Sequence, residues 1–196
     1  MQVKGASSRF AGSAGLQATK VEAQIPDLSH TVVAVSADTR GPLPELLALM
    51  ASSPLAAMTG HALDKASGAG AADLRLRLSL PISELHKSRV QGSLQLAGNE
   101  VRITPDTPAL SRARGTVQFS ETGFTLSGVQ ARALGGDVRL EGGMRALPTG
   151  APPSDAPLQL RAQGTASAEG LRQAPELGLL AQLARKATGS APYTFQ

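Results

Sequence analysis

The sequence predicts a mainly β protein: an elongated, repeat-built antiparallel sheet that curves into a U-shaped groove and carries two short helical insertions. Three observations predict this fold. Residues 73–81 read DLRLRLSLP, and this alternation of leucine with polar residues gives a strand one apolar and one polar face. Weaker alternation of the same kind recurs along most of the chain. The 21 glycines and 13 prolines supply the turns that many short strands require.

Residues 1–40 are predicted to form a β-meander that ends one repeat. Its strands are expected at 16–25 and 31–37. The second strand contains Val32 and Val33, which are β-branched and therefore suit a pleated surface.

Residues 41–72 are predicted to form a helical insertion and a linker. Pro44 is tolerated in the first turn of a helix, and Glu45 suits its positive N-terminal end. A helix is therefore expected at 44–50. A second short helix is expected within 54–63, and small residues then form the linker up to residue 72.

Residues 73–146 are predicted to form the main sheet unit. Its strands are expected at 73–80, 89–96, 100–104, 115–120, 123–126, 129–133 and 137–142. The expected turns include Gly98-Asn99, Pro105-Asp106, Gly135-Gly136 and Gly142-Gly143, whose composition favours chain reversal. Residues 147–157 form a Pro/Gly loop, and residues 158–196 form a strand, a helix ending near 186 and the start of the next repeat.

An internal repeat supports the repeat-built fold. Residues 16–23 (LQATKVEA) align without a gap with residues 124–131 (FTLSGVQA). A repeat of this kind is typical of an elongated stack in which each unit buries its face against the next.

Charge and composition argue against nucleic-acid binding. The net charge is +4 and the pI is 10.0, but the arginines are spread singly along the strands and aromatic residues make up only 3%. A nucleic-acid binder more often has clustered basic side chains and aromatic stacking residues. The arginines are therefore interpreted as a solvated strand face, and no nucleic-acid partner is expected.

The sequence shows no constellation of catalytic or metal-binding residues. It has no cysteine, which excludes disulfides, thiol nucleophiles and thiolate metal sites. His30, His61 and His86 lack the spacing of metal ligands, and the glycine pairs are too short for a phosphate-binding loop. The chain is therefore not expected to be an enzyme, to bind a metal or to need a cofactor.

The apolar side of the predicted strands is the remaining candidate site, and two interpretations of it stay open. These residues pack into a closed core, or they line an open groove for lipid chains, which would be an unusual exposed surface for a soluble protein. The candidate lining residues are Leu74, Leu76, Leu78, Leu80, Leu94, Leu96, Val101, Ile103, Val117, Phe119, Phe124, Leu126, Val138 and Leu140.

The order of several motifs resembles a known family. The motifs are 70–82 (GAADLRLRLSLPI), 90–99 (VQGSLQLAGN), 115–119 (GTVQF) and the Gly135-Gly136 pair. In this order they resemble the central region of YhdP-type proteins, within the AsmA-like group that also contains TamB. The resemblance extends over nearly the whole chain.

This resemblance implies a long periplasmic protein of Gram-negative bacteria, anchored in the inner membrane by a helix outside this sequence. It implies a bridge-like lipid carrier, whose apolar groove shelters phospholipid acyl chains during transport to the outer membrane and so supports the barrier of that membrane. It brings no catalytic residues. The alternative is a structural or scaffolding β-module that spans the periplasm and binds envelope proteins without lipid. Because both chain ends interrupt a strand pattern, the chain is expected to be a soluble fragment of such a protein.

Overall fold

The computed structural model describes residues 2–6, 17–24, 32–51, 65–82, 84, 87–121, 123–145 and 158–196. The second helix predicted within 54–63 and the loop predicted at 147–157 lie outside the described residues. His30, His61 and His86 lie outside them too.

Among the residues that the structure describes, eleven strands form one sheet in which every pair of neighbours is antiparallel. The strands are β1 (Gln2–Ala6), β2 (Gln17–Gln24), β3 (Val32–Pro42), β4 (Ser67–Ala69), β5 (Ala71–Pro81), β6 (Arg89–Arg102), β7 (Leu110–Ser120), β8 (Gly123–Ala133), β9 (Gly136–Arg145), β10 (Leu158–Ser167) and β11 (Ser190–Phe195). Their order in the sheet follows their order in the chain, except that the short β4 pairs with β6. Within the described residues β1 and β11 occupy opposite ends of this order and do not pair, so the sheet is open. The predicted fold class, a mainly β and curved antiparallel sheet, is confirmed.

Two short helical insertions interrupt the sheet. The helix α1 (Leu43–Ala51) follows β3 and confirms the helix predicted at 44–50. The second insertion lies between β10 and β11 and comprises α2 (Ala168–Arg172), α3 (Leu179–Leu183) and the 3₁₀ turns Pro175–Leu177 and Ala184–Lys186. Gly178 has a positive φ of 56°, which is costly for other residues, and it ends the first 3₁₀ turn immediately before α3.

Several predicted strands are parts of longer ones. The segments predicted on either side of Gly98 join as β6, and those on either side of Gly128 join as β8. The predicted turn at Gly98-Asn99 is therefore wrong. Gly98 (φ 107°) and Gly128 (φ 58°) instead lie at register shifts between the strands. Such bulges absorb extra residues without ending the strand.

The predicted turn at Gly142-Gly143 is also wrong, because both glycines lie within β9. A Cβ at Gly142 would overlap the carbonyl of Gln159, and a Cβ at Gly143 would overlap the carbonyl of Phe124. The pair therefore lets β9 lie close to both neighbouring strands. The predicted linker at 65–72 is wrong as well, since it contains β4 and the start of β5.

A buried amide holds a bend between β4 and β5. Gly70, with φ 95°, separates the two strands, and the Asn99 side chain packed against it is only 2% exposed. Asn99 Nδ2 donates to the carbonyls of Ala69 at 3.2 Å and Ala71 at 3.0 Å. Its Oδ1 accepts from the N–H of Ala97 at 2.8 Å. These three hydrogen bonds satisfy the buried amide, which would otherwise destabilise the fold.

The helix α1 covers the apolar face at the end of the sheet that carries this bend. Its buried residues Leu43, Leu46, Leu47 and Met50 follow the i, i+3, i+4, i+7 spacing of an amphipathic helix. The helix contacts β3, β4 and β5, and the N–H of Leu43 donates to the carbonyl of Gly70 at 2.8 Å. The core is therefore closed by a helix at this end.

The two helical insertions are separated from the two aligned segments of the predicted repeat by different numbers of strands. The gapless alignment pairs β2 with β8. One strand separates β2 from α1, whereas two strands separate β8 from α2. The division of the chain into repeat units therefore stays a prediction.

Candidate apolar binding surface

Cross-strand pairing arranges the apolar side chains of β5 to β10 in continuous rows. One row consists of Leu74, Leu94, Val117, Leu126, Gly142 and Leu160. The next row consists of Leu76, Gly92, Phe119 and Phe124. Because paired residues share a face of the sheet, the leucine alternation of a single strand becomes one apolar surface.

The structure brings twelve of the fourteen candidate lining residues into one apolar cluster, and leaves Leu80 and Ile103 outside it. The buried members of the candidate set are Leu74, Leu94, Leu96, Phe119, Val138 and Leu140. The half-buried members are Leu76, Leu78, Leu80, Val101, Ile103, Val117, Phe124 and Leu126. The candidate set therefore divides into core residues and residues that keep contact with solvent.

Burial decreases along β5 from the end covered by α1 to the opposite end. Leu74 is 2% exposed, Leu76, Leu78 and Leu80 are half-buried, and Ile82 just beyond the strand is 54% exposed. The β3 residues that pair with these leucines are half-buried as well. The apolar surface therefore continues past the core to an end where it is accessible.

Phe119 fills the place of a missing side chain in the second row. It pairs with Gly92, and a Cβ at Gly92 would overlap its ring. The ring therefore lies across the β6 backbone and is buried there. This arrangement provides apolar surface at a position where glycine provides none.

The opposite face of the sheet is polar and exposed, which agrees with the interpretation of the strand arginines. Arg75, Arg77, Arg132, Arg139 and Arg161 are all exposed. Ion pairs on this face include Arg40–Asp73 at 3.7 Å, Arg132–Asp137 at 3.4 Å and Arg139–Glu141 at 2.6 Å. Their side chains are largely solvated, so each contributes little to stability.

Three titratable side chains make specific contacts within the fold. The carboxylate of Glu121 accepts a hydrogen bond from the N–H of Val90 at 3.0 Å. Hydrogen bonds from Arg172 and Gln173 lower the pKa of Glu169 at the start of α2. Burial raises the pKa of the Tyr193 phenol, whose ring packs against the apolar cluster.

In the part of the chain that the structure describes, no three His, Cys, Asp or Glu side chains lie close enough to hold a metal ion. No helix among these residues is long and apolar enough to cross a membrane.

The sequence did not predict the buried side chain of Asn99, the aromatic ring that lies across Gly92 or the β7 bulge at Arg112. Gly-Asn pairs favour turns, so the sequence predicts a turn at Asn99. Val101, two residues further along, is apolar and shares a face with Asn99 under simple alternation, which is the local signal for an inward-facing side chain. Nothing in the local sequence indicates the positive φ of 54° at Arg112.

The fold and this surface define an open-sheet β protein with one extended apolar face, partly covered by a helix. A family model described as "YhdP protein" matches residues 3–194 of the chain. The chain therefore belongs to the YhdP family, which confirms the resemblance seen in the motifs. No curated protein and no solved structure matches the chain.

Proposed function

We propose that this chain is a segment of a periplasmic lipid carrier, in which the apolar face of the sheet shelters phospholipid acyl chains during transport from the inner to the outer membrane. The observation that carries the proposal is the accessible part of the apolar face at Leu76, Leu78 and Leu80. All three are half-buried, and Leu76 and Leu78 pair with Gly92 and Val90 of β6, so they extend the apolar face beyond the fully buried leucines. Membership of the YhdP family supports the same function.

The dimensions of this surface suit an acyl chain. Residues 76 to 80 of β5 span about 14 Å at about 3.4 Å per residue. Half of the hydrocarbon core of a bilayer is about 15 Å thick, so most of one acyl chain fits along this part of the strand. Removing each methylene group from water contributes about 0.8 kcal/mol, so burial of part of a chain is sufficient for binding.

The polar face and the apolar face have separate roles in this proposal. Exposed arginines such as Arg75 and Arg77 keep the outer face in water, while acyl chains lie on the inner face. The chain carries no catalytic step, needs no cofactor and acts on phospholipid by passive movement along the groove. A membrane anchor outside this sequence holds the protein in the inner membrane.

The test is native mass spectrometry of the purified chain, combined with photo-crosslinking. A benzophenone amino acid at Leu78 is expected to crosslink co-purified phospholipid through its acyl chain. The same group at Gln91, which lies on the polar face beside Arg77, serves as the control and is expected to give no lipid adduct. A lipid-free chain, or equal adducts at both positions, would contradict the proposal.

A scaffolding module that binds envelope proteins is the second candidate function, and one observation favours it. Leu179, Leu180 and Leu183 of α3 are 58–75% exposed, and they form an apolar patch outside the sheet face. Such patches often mark protein interaction sites. A chain that purifies without lipid but loses an envelope partner when Leu179 and Leu183 are replaced by serine would favour this function.

A further inference from the structure

A pocket of about 280 Å³ lies at one end of the sheet, where β7 begins and β8 ends. Its lining includes the polar residues Ser111, Arg112 and Arg132 and the apolar residues Ala133 and Leu134. Leu78 and Val90 lie at the opposite end of the strands. Val101 of β6 pairs with the start of β7. The distance along β6 from Val90 to Val101 is up to about 37 Å. The pocket is therefore separate from the accessible part of the apolar surface at Leu76, Leu78 and Leu80, although Ala133 and Leu134 also belong to the apolar cluster.

A bulge directs Arg112 towards this pocket. The register shift between the pairs Ser111–Arg132 and Arg114–Gln130 places two β7 residues, Arg112 and Ala113, against a single β8 residue. Ala113 is fully buried, whereas Arg112 is exposed and lines the pocket. Bulges commonly redirect a side chain in this way.

Backbone strain in the described residues is concentrated at the pocket. Arg112 and Leu134, both with φ 54°, are the non-glycine residues there with a positive φ, and both line the pocket. Leu134 and Gly135 form the two-residue turn between β8 and β9. The carbonyl of Leu134 accepts a hydrogen bond from the N–H of Ser167 at 2.9 Å, which fixes the turn. Strained residues held by their surroundings often belong to functional sites.

The pocket combines two guanidinium groups with little acidic compensation. Arg132 Nε lies 3.4 Å from Asp137 Oδ1, but the Asp137 side chain is 91% exposed, so this ion pair is weak. Arg112 has no ion pair with any described residue. The Ser111 hydroxyl donates to the Arg132 carbonyl at 3.3 Å and steadies that strand. Guanidinium groups donate paired N–H bonds that match the oxygen atoms of a phosphate.

We propose that Arg112 and Arg132 bind a phosphate group in this pocket. A phosphate group reaches the site as free inorganic phosphate or as part of a phospholipid headgroup, and the chemistry of recognition is the same. The proposal is independent of lipid binding on the apolar face, because the two sites lie at opposite ends of the strands.

The test is a titration of the ¹⁵N-labelled chain followed by NMR, at constant ionic strength. Sodium phosphate is the first probe, and dihexanoylphosphatidylglycerol below its micelle concentration is the second. Saturable shifts are expected for the Nε–H signals of Arg112 and Arg132 and for the amide of Leu134. Binding of both probes assigns the site to any phosphate, binding of the lipid alone assigns it to a headgroup, and binding of phosphate alone assigns it to the free ion. Failure of both probes to shift these signals would overturn the proposal.

Variants separate the pocket from general charge effects. Arg112→Gln and Arg132→Gln are each expected to weaken binding at least tenfold, whereas Arg75→Gln on β5 is expected to leave it unchanged. Arg112→Gly removes the guanidinium but accepts the positive φ, so it keeps the fold and is also expected to lose binding. Equal weakening by Arg75→Gln, or full binding by Arg112→Gly, would overturn the proposal. Methyl signals of Leu78 in the lipid titration report separately on the apolar face.

Discussion

Replacing Leu78 with aspartate tests whether the accessible end of the apolar face is a binding surface or part of a closed core. Leu78 is half-buried and pairs with Val35 on one side and Val90 on the other. Full burial of a leucine contributes about 1.5–3 kcal/mol, so a half-buried leucine contributes about 1 kcal/mol. Aspartate is also unfavourable in strands, by up to about 1 kcal/mol. We therefore expect Leu78→Asp to lower the free energy of unfolding by about 1–2 kcal/mol.

The matched variant Leu94→Asp is expected to behave differently. Leu94 is buried within the apolar cluster, so aspartate there loses the full burial of leucine and places a carboxylate among apolar groups. Changes of this kind cost more than about 4 kcal/mol, a large part of a typical total stability of about 5–15 kcal/mol. Leu94→Asp should therefore prevent stable folding. Gln91→Asp places the same charge on the exposed polar face and should lower stability by no more than about 1 kcal/mol, the strand penalty of aspartate alone.

Urea unfolding followed by circular dichroism measures these differences, and native mass spectrometry measures bound phospholipid. The expected result for Leu78→Asp is a folded chain that has lost its lipid, while Gln91→Asp stays folded and keeps it. Unfolding of Leu78→Asp as severe as that of Leu94→Asp would show a closed core. A folded Leu78→Asp chain that keeps all of its lipid would also refute the reasoning.

Further predictions concern the bend, the glycine row and the second helical insertion. Asn99→Ala removes three hydrogen bonds and should lower the free energy of unfolding, measured in urea, by about 2–4 kcal/mol. The control Gln95→Ala, on the exposed face, should change it by less than about 0.5 kcal/mol. Equal effects of the two variants would contradict the role of the buried amide. Gly92→Ala should displace the aromatic ring that crosses it, which NMR would detect as shifted ring signals, and an unchanged spectrum would contradict the contact. Because its folded-state pKa is lowered, Glu169 stabilises the insertion at neutral pH and loses this contribution as the pH falls through that pKa. Arg172→Gln should raise the pKa of Glu169 in an NMR titration, and an unchanged pKa would contradict the assigned cause.

The period-two alternation was sufficient to predict the sheet and its two faces. Leucine at every second position of β5 places these side chains on one face of a pleated strand, and the register pairs Leu74 with Leu94 on that face. Helix α1 was predicted because Pro44 and Glu45 are local signals at its first turn. These features depend on a few neighbouring residues, so the sequence is enough to reveal them.

The bulges and the bend depend on contacts between distant segments, and the sequence therefore misled at those positions. Gly98-Asn99 has the composition of a turn, yet the partners of Asn99 lie about thirty residues away, at Ala69 and Ala71. Gly142 looks like a turn residue in the local sequence. The contact that requires glycine there is with a neighbouring strand that comes later in the chain. Local composition cannot distinguish a turn from a bulge when the deciding contact is nonlocal.

The same alternation has two different consequences along β5. The candidate residues therefore divide into core residues and residues that keep contact with solvent. At Leu74 the apolar face meets α1 and neighbouring strands, and the side chain becomes part of the core. At Leu78 and Leu80 the pattern is unchanged, but the burial is incomplete. Leu74 therefore contributes more to stability than Leu78 and Leu80, whose contacts can change at a smaller cost. A surface that exchanges acyl chains needs this division, because a ligand that is also the core could not leave without unfolding the protein.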